Sequence, residues 1–77
     1  MNIKVLGPGC RNCITLERVT REAVEALGIE VEIEKVTDYA AVAQFGIAST
    51  PGIVIDGKVV HAGGLPKSAD LTKWLQG

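Results

Sequence analysis

Leu6-Gly7-Pro8-Gly9-Cys10-Arg11-Asn12-Cys13 holds both cysteines of a 77-residue chain, two residues apart, at the point where the rhythm of the sequence changes. Before it, Asn2 to Leu6 is short, rich in branched residues and imperfectly alternating. That is the pattern of a strand, and Gly7-Pro8-Gly9 breaks it. After it, from Arg11 onward, Leu16, Val19, Ala23 and Leu27 recur at helical spacing. Glu17, Arg18, Arg21, Glu22 and Glu25 fall on the other side, with opposite charges four apart in Glu17/Arg21 and Arg18/Glu22. Gly28 is placed to close this amphipathic helix. The chain therefore opens with a strand that runs straight into a helix, and two thiols stand at the junction.

The remaining elements follow from the same signals. Ile29 to Val36 alternates strictly, with Ile29, Val31 and Ile33 on one face and Glu30, Glu32 and Glu34 on the other, which predicts a strand with one wet face at a sheet edge. Thr37 or Asp38 is placed to cap a short alanine-rich helix from Tyr39 to Phe45, ended by Gly46. Ile53–Ile55 and Lys58–Val60 are branched runs joined by Asp56-Gly57, the pair that a two-residue hairpin favours. Pro66 or Ser68 opens a last helix in which Leu71, Trp74 and Leu75 share a face. The expected fold is α/β with the order β-α-β-α-β-β-α. Its first two strands are parallel through a right-handed crossover, its last two form an antiparallel hairpin, and helices cover both faces of a four-stranded mixed sheet.

This length is that of a single domain, here residues 1–77, and no linker, repeat or low-complexity segment divides it. Hydrophobic residues at 47% and charged residues at 22% argue for a folded core rather than disorder. Eight Lys and Arg against nine Asp and Glu give a net charge of −1, so no basic field points to nucleic acid or to a membrane surface. The N-terminal apolar stretch is too short for a secretory signal, and no window approaches the roughly 20 apolar residues of a membrane span. A cytoplasmic location is the resulting expectation. A reducing compartment and a very small loop both disfavour a purely structural disulfide.

Position gives the cysteines their chemistry. A helix N-terminus presents unpaired N–H groups and the positive end of the helix dipole, which favour a thiolate over a thiol. Cys10, ahead of the first turn, is the candidate nucleophile, and Arg11 adds a nearby positive charge. Cys13, one turn on and inside the helix, is the candidate resolving thiol. Attack by Cys10 on a disulfide followed by attack of Cys13 on Cys10 would exchange electrons with a target. A structural zinc site would need two more ligands, for which the chain offers His61 and scattered carboxylates. A soft, copper-type metal held by two thiolates is the alternative reading of the same pair, and a redox-sensing binding domain is another.

With these residues in place the chain resembles the thioredoxin and glutaredoxin superfamily, in particular its minimal redox-active disulfide members. The resemblance spans almost the whole chain and rests on Cys10-Arg11-Asn12-Cys13 after the first strand, Ser49-Thr50-Pro51 before the hairpin and Gly63-Gly64 after it. It implies a minimal thioredoxin-like fold and a thiol-disulfide oxidoreductase, with Cys10 and Cys13 as its redox-active pair and no further cofactor. It also implies that Pro51 is cis and packs beside the cysteines, and that Thr50 offers its backbone to a bound peptide. Substrate contacts would come from Arg11, Asn12, Thr50, Pro51 and Gly63. The implied partners are protein disulfides and a flavoprotein-type disulfide reductase as electron donor, with the protein acting as a monomer.

The chain also departs from that pattern. Thioredoxins bury an acidic residue in the strand before the motif, and six positions before Cys10 this chain has Lys4. Arg11-Asn12 differs from the Gly-Pro of thioredoxins and the Pro-Tyr of many glutaredoxins, so neither family's potential or substrate transfers. His61 reads as a surface residue at the end of the hairpin, Trp74 as a core residue of the last helix, and the Glu30, Glu32, Glu34 row as a solvated face.

Overall fold

The computed structural model describes residues 1–9, 11–47 and 49–76. Its elements are β1 (Asn2–Leu6), α1 (Arg11–Leu27), β2 (Glu32–Val36), α2 (Tyr39–Ala43), β3 (Gly52–Ile55), β4 (Lys58–Ala62) and α3 (Ser68–Gln76). The four strands form one sheet in the order β2-β1-β3-β4. β2 runs parallel to β1, β3 antiparallel to β1, and β4 antiparallel to β3. This is the mixed four-stranded sheet and element order read from the sequence, and β2 with its exposed Glu32 and Glu34 is an edge strand.

Strand parity divides the core between the two faces of the sheet. Ile3, Val5 and Ile53 point to one face, where Leu16 and Val24 of α1 and Leu71 and Leu75 of α3 close over them. Leu6 and Val54 point to the other, where Val42 of α2 covers them with Val36, Phe45 and Ile47 alongside. Each fully buried Leu, Ile or Val contributes roughly 1.5 to 3 kcal/mol, so these two clusters hold the helices to the sheet. The buried line of α1 is Cys13, Leu16, Thr20 and Val24, flanked by Val19, Ala23 and Leu27. Thr20, absent from the apolar pattern, fits in that line because its hydroxyl donates to the Leu16 carbonyl at 2.7 Å and leaves no polar atom unsatisfied.

Several element ends differ from the sequence reading, each for a local reason. β2 begins at Glu32 instead of Ile29, because its register starts at Asn2↔Glu32 and β1 extends no further toward the N-terminus. Ile29 and Val31 still pack on the core from the connecting segment. α2 stops at Ala43 and not at Phe45. Phe45 and Gly46 instead donate to Val42 and Ala43 at 3.1 and 3.0 Å in a tightening turn. Asp38 occupies the N-cap position of α2 without a side-chain bond, and its carbonyl accepts from Val42 N–H at 2.9 Å.

β4 runs on to Ala62, past Val60. The hairpin turns at Asp56 and Gly57, at φ 49° and 83°. Further along, pairing shifts by one residue: His61 pairs with Ile53 but Val59 with Val54, so Val60 is the extra residue of a bulge. The shift brings both Val60 and His61 to the α3 side, where Val60 packs on the core and the His61 ring lies 5.7 Å from Trp74. His61 is therefore a half-buried member of β4, not a surface residue beyond it.

Candidate active site

The site assembles where β1 ends, α1 begins and the segment before β3 passes between them. Cys10 lies outside the described residues. Arg11 and Asn12 open α1 and are both exposed. Cys13, one turn into the helix, faces inward, is only 5% exposed and is disulfide-bonded. Its neighbour Ile14 points outward at 62% exposure. The first turn of α1 thus carries polar and apolar groups toward solvent and one sulfur toward the sheet.

Gly7 makes room for that sulfur. A Cβ on Gly7 would fall on the Cys13 Sγ and would also lie 3.7 Å from the Thr50 Cβ, so Gly7 adjoins both the cysteine and the Thr50 side chain. Its N–H donates to the Val36 carbonyl at 2.9 Å, tying the end of β1 to the end of β2. The sequence reading took Gly7 only as part of a strand-ending turn. What identifies it is its place at a strand end, six residues ahead of a cysteine one turn into the next helix, where any side chain would meet the thiol.

Thr50 is half-buried, Pro51 is fully buried, and the peptide bond between them is cis. The Pro51 carbonyl accepts from Gly63 N–H at 2.8 Å, which joins the segment after β4 to the segment before β3. Gly63 has φ 87°, and a Cβ there would come within 3.0 Å of the Ser49 Cβ. Ser49, Thr50 and Pro51 therefore pass between Gly7 and Gly63 with glycine at both close approaches. Of the residues singled out in the sequence, Cys13, Thr50, Pro51 and Gly63 come together here, and Arg11 and Asn12 edge the site from the start of α1.

Lys4, at the position where an acid was sought, lies on the α2 face of β1 with its Nζ 5.6 Å from the centre of the Phe45 ring. It is thus a cation over an aromatic face. His61, read from the sequence as a surface residue at the end of the hairpin, hydrogen-bonds through Nε2 to the Gly64 carbonyl at 3.0 Å.

Comparison with known proteins gives consistent matches. A family model described as a thioredoxin domain matches residues 1–76. The chain is 36% identical over 75 residues to a protein named thioredoxin from Methanothermobacter thermautotrophicus, covering 97% of each. It is 35% identical over 74 residues to another protein of that name from Methanocaldococcus jannaschii, covering 96% of this chain and 85% of the relative.

Proposed function

This chain belongs to the thioredoxin-domain family, and from that premise we propose that it is a thiol-disulfide oxidoreductase whose Cys10 and Cys13 exchange electrons with disulfides of other proteins. One observation carries the reading: Cys13 is disulfide-bonded and buried in the first turn of α1, against Gly7 at the end of β1. A buried sulfur held against backbone is a poor target for solvent and a well-placed partner for a neighbouring thiol.

In the reducing direction Cys10, as the thiolate just ahead of α1, attacks one sulfur of the target disulfide. A mixed disulfide forms, and the other target sulfur leaves as a thiolate that takes up a proton. Cys13 then loses its proton and attacks the Cys10 sulfur. The second target thiol is released, and two electrons have passed from the dithiol to the target. No carboxylate lies between Ile3 and Leu6, so water handles the proton at Cys13 in this scheme. Arg11, Asn12, Thr50, Pro51 and Gly63 form the surface that a substrate chain meets. A flavoprotein-type reductase restores the dithiol, and the protein works as a monomer in the cytoplasm. Among the described residues no helix is long and apolar enough to cross a membrane.

The test is reduction of insulin with dithiothreitol as electron source. The wild-type protein is expected to accelerate precipitation of the released insulin B chain, and Cys10→Ser to abolish the acceleration. Cys13→Ser should trap a mixed disulfide visible by mass spectrometry. A wild-type protein no faster than dithiothreitol alone, or a Cys10→Ser variant with full activity, would refute the reading.

A further inference from the structure

We infer that His61 is a positioning residue for this reaction: it clasps the Gly63-Gly64 segment in the conformation a substrate chain meets beside Thr50-Pro51. The inference rests on the oxidoreductase reading above and adds a residue that the cysteine motif does not contain.

The Gly63-Gly64 segment is intrinsically loose. Both glycines have left-handed φ values, 87° and 68°, and glycine loses the most backbone freedom when it is fixed. Two hydrogen bonds hold the pair. Gly63 N–H donates to the Pro51 carbonyl at 2.8 Å, and the Gly64 carbonyl lies 3.0 Å from His61 Nε2. A carbonyl only accepts, so Nε2 carries the hydrogen, and both the neutral Nε2–H tautomer and the imidazolium serve. The first bond reaches the site directly. The second reaches it through one residue of glycine backbone.

His61 is itself fixed from two sides. The bulge at Val60 turns it toward α3, and its ring packs beside Trp74 at 5.7 Å with a 35° tilt, a contact that supports the imidazole where it meets Gly64. The contacts form one continuous path: Trp74 braces His61, His61 holds Gly64, and Gly63 holds Pro51. Gly63 at the same time leaves no room for a side chain against Ser49. A group that acts only through this path should alter how a protein substrate docks, and leave the attack of Cys10 on a small disulfide unchanged.

The experiment compares His61→Ala and His61→Gln with the wild-type chain, all confirmed folded by thermal unfolding. In Gln the side-chain amide takes the place of Nε2–H and can donate to the same carbonyl. Amide hydrogen exchange at Gly63 reads the clasp without reference to activity. Kinetics with insulin and with the small aromatic disulfide dithiobis(nitrobenzoate) read its consequence. The expected result is faster Gly63 exchange in His61→Ala and an insulin KM raised about three- to tenfold, the range set by one net hydrogen bond. The rate with the small disulfide stays unchanged, and His61→Gln recovers both readouts. Unchanged Gly63 exchange in His61→Ala would overturn the clasp. Faster exchange with an unchanged insulin KM, or an equal loss with both disulfides, would overturn the positioning role. A wild-type protein inactive on both disulfides would instead overturn the oxidoreductase reading, and the positioning role with it.

Discussion

Cys13 Sγ fills the space that a side chain on Gly7 would need. The relationship links the two halves of the opening βα unit. The chain must leave β1 without a Cβ for α1 to bring its first inward-facing sulfur down to the sheet, and the Thr50 Cβ lies 3.7 Å from the same position. Pro8 and Gly9, both exposed, complete the turn. Gly7 alone is buried, and its φ is not left-handed, so close approach and not chain reversal requires glycine here.

Gly7→Ala is therefore expected to destabilise the reduced protein by about 1 to 3 kcal/mol, the usual cost of forcing an extra methyl into a packed site. Urea unfolding in dithiothreitol measures it with the disulfide removed as a variable. The cost should fall to under about 1 kcal/mol when Cys13→Ala is present as well, since the atom being struck is then gone. Equal costs in the two backgrounds would show that the Gly7–Cys13 contact is not what makes position 7 sensitive.

Most of the architecture was legible because its signals are local. The hairpin followed from Asp56-Gly57, the edge strand from Glu30, Glu32 and Glu34, and α1 from the spacing of Leu16, Val19, Ala23 and Leu27. What could not be read depends on pairing between distant segments. The start of β2 is set by where β1 begins, and the end of β4 by a bulge opposite Ile53 and Val54. The site shows the same division. Cys13, Thr50 and Pro51 carry recognisable residue types at recognisable places. Gly7 and His61 look ordinary in sequence and gain their roles only from what the fold sets against them, a sulfur in one case and the Gly64 carbonyl in the other.

The two thiols of the reduced protein should differ in reactivity toward iodoacetamide. Cys10 directly precedes the first residue of α1, where the helix dipole and free N–H groups favour a thiolate. Its alkylation rate is expected to rise with pH through a midpoint below the ~8.5 of a free thiol. Cys13, at 5% exposure, should react several-fold more slowly. Mass spectrometry of peptides alkylated across pH 5 to 10 checks the order and the midpoint. Faster labelling of Cys13, or a Cys10 midpoint at or above that of a free thiol, would contradict this account of the helix end.

Leu16 tests how the site depends on the core. It is fully buried against Ile3, Val5 and Ile53, one turn beyond Cys13 on the same line of α1. Leu16→Ala should cost about 2 to 5 kcal/mol in urea unfolding. A domain of this size holds only about 4 to 12 kcal/mol in total, so much of the population would unfold at 37 °C. Arg21 and Lys35 provide the contrast. Both reach Glu17 on the surface, at 3.7 and 3.6 Å. Lys35→Ala should change stability by less than about 1 kcal/mol, and less still at high salt.

The paired glycines after β4 separate backbone strain from steric contact. At Gly64 a Cβ would meet nothing within 4 Å, so Gly64→Ala brings only the left-handed φ of 68°. Its expected cost is about 1 to 2 kcal/mol. At Gly63 the φ of 87° is joined by an approach of 3.0 Å to the Ser49 Cβ, and the backbone N–H there is already committed to Pro51. Gly63→Ala should therefore cost more, about 2 to 4 kcal/mol, because overpacking adds to strain. Removing the struck atom with Ser49→Gly should bring the Gly63→Ala penalty back to that of Gly64→Ala, while leaving the strain in place. Urea unfolding of the two single variants and the Ser49→Gly/Gly63→Ala double variant, with Ser49→Gly as reference, decides the matter. If Gly63→Ala and Gly64→Ala cost the same, the segment before β3 yields to a new methyl, and the close passage of Ser49 is not a constraint on this side of the site.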